Sequence, residues 1–201
     1  MPTKTTNKGR RFPVEALTAN EVKALLGGCS NRAPTGIRNR ALIAVLWRCG
    51  LRISEALSLR PKDIDAQGGT VRVLHGKGNR ARTVGIDEAT LALLHRWLDT
   101  RYARGINGHR PVFCTLAGAP LKTAYVRVLL PRLARKAKVE KRVHAHGLRH
   151  THAAELAAEG TPLNVIQVAL GHSNAATTSR YLAHIAPQQV IDAMRSRSWQ
   201  M

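Results

Sequence analysis

The sequence predicts a mainly α-helical fold with one small three-stranded antiparallel sheet, an α+β class. Two observations predict it. Apolar residues recur at helical spacing along most of the chain, and this spacing gives way to short β-branched runs only once, between Ile64 and Ile86. The 201 residues contain no internal repeat and are enough for one ordinary domain. We expect a flexible basic arm over 1–14, a single domain over 15–196 and a tail over 197–201.

Caps and apolar periods predict the first three helices. Thr18 and Glu21 have the Thr-x-x-Glu spacing of a capping box, and Gly27 ends the helix that they begin. A dense apolar set predicts a buried second helix over about 36–48. Gly50 ends that helix, and a short third helix follows over about 53–57.

β-branched residues separated by glycines predict the sheet. Val71, Val73 and Val84 stand in short runs, and Gly68 and Gly69 interrupt them. We expect a basic turn over 75–82 to join two of the strands.

Helical spacing returns after the sheet and continues to the C-terminal end. Pro131 lies inside one of these segments and predicts a kink or a break. Pro162 suits the first position of a helix, and Gly160 and Gly171 suit turns or helix ends. The expected helices cover 87–103, 121–138, 147–159, 162–170, 174–182 and 187–196.

The charge of the chain indicates a nucleic-acid partner. Lys and Arg number 32 against 12 Asp and Glu, which gives a formal net charge of +20. Such an imbalance repels itself in a compact state and is usually kept for a polyanion, although a generally basic protein such as a ribosomal one shares it. No apolar stretch in the sequence is long enough to span a membrane, and no signal peptide is visible. Three scattered cysteines favour a reducing, intracellular compartment.

An arginine and a glutamate stand together in Gly-Leu-Arg-Ile-Ser-Glu at 50–55. Arg52 lies where the short third helix begins, and Glu55 follows one turn later. The arginine can direct its two-pronged guanidinium at a phosphate while Glu55 holds it through an i, i+3 contact. An ordinary surface salt bridge is the simpler interpretation of this pair taken alone.

Four histidines lie within nine residues, from His144 to His152. His146 and His150 have the spacing of two metal ligands on a helix. However, Arg149 stands between them, and a fixed cation beside a metal ion costs free energy. A phosphate site needs His146 as acid or base and Arg149 as a bidentate donor, so we predict a phosphate site and no metal. His144 and His152 are then surface or packing residues.

A third motif runs from Leu170 to Tyr181. Gly171 permits a tight turn, His172 precedes a new helix, and Tyr181 falls about two turns into that helix. A tyrosine in this position, taken alone, is more often structural than nucleophilic.

Together these motifs resemble the tyrosine recombinase family, the lambda-integrase-like enzymes of phages and bacteria. The shared pattern is Arg-x-x-Glu, a lysine on a basic β-turn, His-x-x-Arg, Leu-Gly-His, and a tyrosine nine residues after that histidine. The strings Leu-Arg-His-Thr-His-Ala at 148–153 and Leu-Gly-His-Ser-x-x-x-Thr-Thr-x-x-Tyr at 170–181 are specific. The resemblance covers about 15–196 and matches the catalytic domain of the family.

The resemblance implies a catalytic role for six residues. The arginines would clamp the scissile phosphate, the histidines would complete its hydrogen bonding, and the lysine would protonate the departing 5′ oxygen. The tyrosine would attack phosphorus and form a 3′-phosphotyrosyl link. Since only roughly one tyrosine in a thousand is ionised at neutral pH, His146 is the candidate base for its proton. The six are Arg52, Lys77, His146, Arg149, His172 and Tyr181, with Glu55 and His150 in support.

The resemblance implies double-stranded DNA as the substrate, and neither a cofactor nor a metal. The reaction exchanges one phosphodiester for another, and two fixed arginines can neutralise the charge that metal ions neutralise elsewhere. We expect the helix over 121–138 to read the major groove. Candidate DNA contacts are Arg80, Arg82, Lys122, Arg127, Arg132 and Arg135, with Arg38, Arg40, Lys136, Lys141 and Arg142 as further ones. Arg80 and Arg82 also leave open which base near Lys77 reaches the site.

Assembly and location follow from the resemblance as expectations. The family acts as a homotetramer on two DNA sites, and residues 187–196 would dock on a neighbouring subunit or cap their own core. The expected location is the bacterial cytoplasm, at the nucleoid or as a phage product, without membrane contact and with accessory proteins unknown. We expect the N-terminal clamp domain of the family to have no counterpart in this sequence beyond the basic arm. A small natural recombinase is preferred to a fragment, and weaker DNA binding is expected.

Two alternatives to site-specific integration, excision or resolution remain at this stage. One is a catalytically silent DNA-binding regulator on the same scaffold, which the charge alone would explain. The other is a relaxing enzyme with the chemistry of type IB topoisomerases.

Overall fold

The computed structural model describes residues 15–74, 81–171, 194, 195 and 197. Within these residues the chain is mainly helical and carries one small sheet, which confirms the predicted fold class. The predicted helix over 174–182, and that over 187–196 apart from residues 194 and 195, lie outside the described residues. The elements are α1 (Ala19–Gly27), α2 (Pro34–Arg48), α3 (Ile53–Ser58), β1 (Ile64–Asp65), β2 (Thr70–Val73), β3 (Arg82–Gly85), α4 (Glu88–Tyr102), α5 (Thr123–Lys136), α6 (Ala145–Ala158) and α7 (Leu163–Leu170).

The sheet is antiparallel with the strand order β1–β2–β3, as predicted. Val71 lies opposite Val84, and Val73 lies opposite Arg82. The turn predicted over 75–82 is therefore too long, because Arg82 already belongs to β3. Alternation along a strand places Arg82 on the same face as the buried Val84, so its side chain points inward.

The helix ends follow local chemistry. The predicted capping box of α1 is present: the Glu21 amide donates to Thr18 Oγ1 at 3.2 Å, and the Thr18 amide donates to Glu21 Oε2 at 2.7 Å. α2 begins two residues before the predicted start, because Pro34 occupies a position whose N–H has no helical partner. Pro162 is the cap of α7 and not its first residue. Gly171 ends α7 in the left-handed conformation, as expected, with φ of +61°.

α5 is continuous through Pro131, so the predicted break is wrong. Proline removes the hydrogen bond to the carbonyl four residues earlier, which is that of Arg127. Both residues are exposed, and water can bind this carbonyl in place of the missing donor. The helix is amphipathic, and its buried residues are Val126, Leu129, Leu130, Leu133 and Ala134.

α2 is the central helix and is buried along most of its length. It packs against α4 on one side and α6 on another. A second, smaller apolar cluster joins α6 to α7 through Ala153, Ala157, Ile166 and Leu170. The main core therefore fixes α6, and α6 in turn fixes the end of α7. No helix in the described part of the chain has the length and apolar character that crossing a membrane requires.

Candidate active site

Arg149 lies at the centre of the predicted site, and its side chain is only 1% exposed. Nη1 donates to the carbonyl of Gly50 at 2.8 Å, and Nη2 donates to the carbonyl of Leu170. The first carbonyl belongs to the turn between α2 and α3, and the second lies at the end of α7. One guanidinium from α6 thus holds two other parts of the fold in place.

The turn at Gly50 requires glycine for two reasons. Its φ of +57° lies in the left-handed region, and a Cβ there would lie 2.4 Å from Cδ2 of His152. His152 is buried, and burial together with the charges of Arg48 and Arg149 lowers its pKa to about 4. Of the surface and packing roles considered for His152, the structure therefore agrees with packing.

Glu55 is a buried carboxylate that three guanidiniums surround. Arg52 Nη1 donates to its Oε1 at 2.8 Å, and the Arg52 amide donates to Oε2 at 2.8 Å. Arg82 donates to both oxygens, at 2.9 and 2.8 Å, and Arg149 Nη1 lies 3.8 Å from Oε2. The predicted contact between Arg52 and Glu55 is therefore present, but Glu55 is 2% exposed, so the pair is not an ordinary surface salt bridge.

The charge of this cluster is positive. Burial by itself would raise the pKa of Glu55, but hydrogen bonds from Arg82 and Arg52 outweigh burial and lower the pKa to about 2. The carboxylate therefore stays ionised at neutral pH. One negative charge among three guanidiniums leaves an excess of two positive charges. Such a cluster can bind a phosphate diester.

Arg52 is the most exposed of the three arginines. Its side chain is 25% exposed, compared with 9% for Arg82 and 1% for Arg149. It occupies the N-cap position of α3, and its Nη2 donates to the carbonyl of Gly171 at 3.2 Å. Arg52 is thus the guanidinium through which a ligand in solvent can reach the cluster.

His146 and His150 lie one turn apart on α6, with ring centroids separated by 4.5 Å and ring planes at 84°. Partial burial, and then the charges of Arg149, His144 and Arg52, lower the pKa of His146. Because His146 is neutral at neutral pH, it can accept a proton. Its ring remains exposed to solvent, whereas His150 is buried.

His144 has a role that the sequence did not indicate. It is the N-cap of α6, and its Nδ1 accepts a hydrogen bond from the Gly147 amide at 3.0 Å. Histidine is not among the preferred capping residues, so composition gave no signal for this contact. Burial and Arg142 lower its pKa, which favours the neutral form that the cap requires.

The structure brings together Arg52, Glu55, His146 and Arg149, with His150 beside His146. Lys77, Arg80, His172 and Tyr181 lie outside the described residues. Gly171, whose carbonyl accepts from Arg52, directly precedes His172 in the chain. Among the residues that the structure describes, no three His, Cys, Asp or Glu side chains form a metal-binding group.

Basic residues line an exposed face of α5. The predicted DNA contacts Lys122, Arg127, Arg132 and Arg135 are all exposed. A groove of about 630 Å³ lies between this face and the segment leading into α6, and its lining includes Arg127, Arg135, Lys141, Arg142 and His144. The groove therefore extends from α5 to the helix that carries His146 and Arg149.

Two other predicted DNA contacts point inward. Arg82 donates to Glu55 and to the carbonyl of Ala169. Arg38 is 3% exposed and donates to the carbonyl of Cys114 at 3.0 Å and to the Tyr125 hydroxyl at 2.6 Å. Neither guanidinium has the solvent-facing position that a contact with backbone phosphate requires.

Curated relatives of this chain are tyrosine recombinases. Tyrosine recombinase XerC of Staphylococcus epidermidis is 32% identical over 183 residues, which are 91% of this chain and 61% of the relative. Tyrosine recombinase XerD of Halalkalibacterium halodurans is 33% identical over 185 residues, again 91% of this chain and 61% of the relative. This chain therefore spans about 61% of the length of these relatives.

Solved structures share the fold. The crystal structure of XerA recombinase superposes with a TM-score of 0.80 at 29% identity, over 95% of this chain and 68% of that chain. A second match is XerH site-specific recombinase bound to palindromic difH substrate in a post-cleavage complex. Its TM-score is 0.75 at 29% identity, over 91% of this chain and 53% of that chain. The catalytic domain of bacteriophage HP1 integrase has a TM-score of 0.62 at 24% identity, over 92% of this chain and 95% of that chain. At this identity the match shows the fold alone.

The family resemblance of the motifs is confirmed by a match along most of the chain. The model of the phage integrase family matches residues 15–188. This range contains every described element of the fold together with the Arg52, Glu55, His146 and Arg149 cluster. The chain is a member of the phage integrase family.

Proposed function

We propose that this chain is the catalytic part of a site-specific DNA recombinase, which cleaves and rejoins DNA through a 3′-phosphotyrosyl intermediate on Tyr181. One observation carries the proposal. Arg52 and Arg149, from separate elements, converge on the buried carboxylate of Glu55, and His146 lies one turn from Arg149. Residues 15–196 would form the catalytic domain.

The arginine cluster would act on the phosphate. A diester bound at the exposed edge of Arg52 would lie in the field of Arg149 beneath it. As the tyrosine oxygen attacks, negative charge builds up on the phosphate oxygens, and positive groups already in position stabilise it without reorganising. The cluster therefore favours the transition state over the free diester.

Two residues would move the protons. Neutral His146 would accept the phenol proton of Tyr181 as its oxygen attacks phosphorus, and Lys77 would donate a proton to the departing 5′ oxygen. One phosphorus–oxygen bond forms and one breaks, so the number of ester bonds is unchanged. The reverse attack by a 5′ hydroxyl rejoins the strand, and His172 would complete the hydrogen bonding of the phosphate.

Double-stranded DNA would lie along the basic face of α5 and the groove that leads to α6. Lys122, Arg127, Arg132 and Arg135 would contact backbone phosphates there. The structural neighbours support such a substrate, since XerH is a site-specific recombinase bound to palindromic difH substrate in a post-cleavage complex. A homotetramer on two DNA sites, acting in the bacterial cytoplasm, is the assembly that we propose.

The test uses a library of duplexes, because the target site is unknown. Each duplex carries a nick near a randomised segment, so that cleavage releases a short fragment and traps the protein on the DNA. Covalent complexes are retained on filters through a detergent wash, and the trapped DNA is sequenced. Tyr181→Phe is the matched control, because it removes only the attacking hydroxyl.

We expect the unaltered chain to form adducts that share a sequence, and Tyr181→Phe to form none. Adducts formed by Tyr181→Phe would contradict the assignment of the nucleophile. DNA fully bound in a mobility-shift assay without any adduct would instead favour a catalytically silent regulator. Adducts without a common sequence, together with relaxation of supercoiled plasmid, would favour the topoisomerase-like activity.

A further inference from the structure

Arg82 makes three hydrogen bonds inside the protein, although it follows a basic segment of the sequence. Its Nη1 and Nη2 donate to Oε1 and Oε2 of Glu55 at 2.9 and 2.8 Å, a parallel, bidentate arrangement. Its Nε donates to the carbonyl of Ala169 at 3.0 Å. The side chain is 9% exposed. Arg82 therefore connects the start of β3 with α3 and with the end of α7.

The last two carbonyls of α7 and the carbonyl of its C-cap Gly171 are bound by three different arginines. Arg82 donates to Ala169, Arg149 donates to Leu170, and Arg52 donates to Gly171. Carbonyls at the end of a helix have no partners within the helix and carry partial negative charge. The same three arginines surround Glu55, so one carboxylate and one helix end hold them as a single unit.

Arg82 also determines how Glu55 binds Arg52. Arg82 donates to both carboxylate oxygens, and the side chain of Arg52 donates to this carboxylate through one bond, from Nη1 to Oε1. Without Arg82, the carboxylate of Glu55 could accept hydrogen bonds from both Nη1 and Nη2 of Arg52. That change would draw the Arg52 guanidinium inward, away from the position at which it meets a phosphate.

Close packing supports the same role. A Cβ added at Gly171 would lie 3.1 Å from both Cδ and Nη1 of Arg82. The Arg82 side chain therefore lies against the left-handed residue that ends α7. Gly171 is followed directly by His172 in the chain.

We propose that Arg82 is a positioning residue for strand cleavage, which holds Glu55 and the end of α7 so that Arg52 faces the scissile phosphate with the enclosed Arg149 beneath it. This inference rests on the proposed function. It replaces the expectation that Arg82 contacts DNA. Arg82 would act through Glu55 and would not touch the substrate.

Variants of Arg82 separate positioning from DNA contact. Arg82→Gln removes the charge, and Arg82→Lys keeps the charge but loses the bidentate geometry. Arg72→Gln is the matched control, because Arg72 lies exposed on the neighbouring strand β2 and pairs with Thr83. Thermal unfolding verifies that each variant is folded at the assay temperature. Binding is measured by titrating a labelled mixed-sequence duplex at several salt concentrations, and cleavage is measured by adduct formation at saturating protein.

We expect Arg82→Gln to form the adduct about 100-fold more slowly, because small displacements of catalytic groups have effects of this size. Its DNA affinity and the salt dependence of that affinity should match those of the unaltered chain. Arg82→Lys should recover part of the rate, and Arg72→Gln should form the adduct at the rate of the unaltered chain. A decrease of about one in the salt slope for Arg82→Gln would identify a phosphate contact and overturn the inference. An unchanged cleavage rate would overturn it as well.

Combination with Glu55→Gln tests whether Arg82 acts through Glu55. If it does, the double variant should cleave no more slowly than the slower single variant, whereas independent roles would multiply the two losses. If the proposed function is wrong, the unaltered chain itself forms no adduct, which is a different outcome. In that case the salt titration of Arg82→Gln still decides whether Arg82 contacts DNA.

Discussion

Glu55 illustrates at the scale of one residue how burial and hydrogen bonding compete. Burial disfavours the charged carboxylate, but the donors from Arg82 and Arg52 favour it more strongly and lower its pKa to about 2. An unfolded chain has no such donors, and its carboxyl keeps the ordinary value of 4.5. Protons therefore bind more readily to the unfolded chain, and Glu55 links stability to pH.

The first prediction concerns Glu55→Gln. Because the folded pKa is lowered, the stabilisation by Glu55 is fully present above pH 4.5 and is lost as the pH falls towards 2. The shift corresponds to about 3 kcal/mol. We expect the variant to be less stable than the unaltered chain at neutral pH, with a difference that shrinks between pH 4.5 and 2. Urea unfolding over a pH series measures this difference.

The exposed Glu140 provides the control. Glu140→Gln should differ little from the unaltered chain at every pH, since exposed carboxylates contribute little to stability. A difference between Glu55→Gln and the unaltered chain that stays constant down to pH 2 would rule out this account of the buried carboxylate.

At the scale of elements, the site depends on short turns and helix ends more than on helix interiors. Arg52 occupies the N-cap position of α3, and the side chain of His144 caps α6. Gly50 lies between α2 and α3, and its carbonyl accepts from Arg149. A change in one of these turns should therefore alter both stability and the geometry of the cluster.

The second prediction concerns Gly50→Ala. The new methyl group would meet the His152 ring at 2.4 Å, and the positive φ would strain the backbone. We expect a loss of about 2–5 kcal/mol, the sum of the left-handed penalty and a clash in the core. Adduct formation should fall as well, because the Gly50 carbonyl moves relative to Arg149. Thermal unfolding and the adduct assay measure the two effects.

Two other glycines separate the causes. Gly105 has φ of +70° and no atom within 4 Å of an added Cβ, so Gly105→Ala should show the backbone penalty alone. Gly27 ends α1 with φ outside the left-handed region and with open space around it, so Gly27→Ala should be neutral or stabilising. Equal losses of unfolding free energy for Gly50→Ala and Gly105→Ala would show that the contact with the His152 ring does not contribute.

The same elements explain what the sequence could and could not predict. Thr18 with Glu21, and Gly171, were predicted because their contacts are local and their residue types are specific. The role of Arg82 was missed, because Glu55 lies 27 residues away and the pairing depends on tertiary structure. The alternation of Arg82 with Val84 was the available signal, and the expected basic turn obscured it. The break considered at Pro131 was wrong, because the exposure of its face is set by packing.

At the scale of the whole molecule, the basic side chains fall into two classes, those enclosed in the protein and those exposed to solvent. Arg38, Arg82 and Arg149 are enclosed and bind backbone carbonyls, which a polyanion does not replace. The exposed arginines Arg127, Arg132 and Arg135 on α5 remain available to solvent. The net charge of +20 is therefore larger than the positive charge that is exposed for contact with DNA.

The third prediction is a steep salt dependence of DNA binding. Each phosphate contact that is removed should lower the slope of log affinity against log salt by about 1. We expect this decrease for Arg127→Gln and for Arg132→Gln on α5. Arg104→Gln is the control, because Arg104 is exposed but lies after α4 and has no assigned DNA contact. Equal decreases for all three variants would show that the α5 face has no special part in binding.

The shared carboxylate also has a consequence for how this sequence can evolve. Three arginines from three elements depend on one acid, so a substitution at position 52, 82 or 149 changes the electrostatic balance for the other two. A neutral residue at position 55 would leave three enclosed or half-enclosed cations without a counter-ion. Viable lineages should therefore change position 82 only after or together with position 55, and covariation between these two positions should be stronger than covariation of either with the exposed arginines of α5.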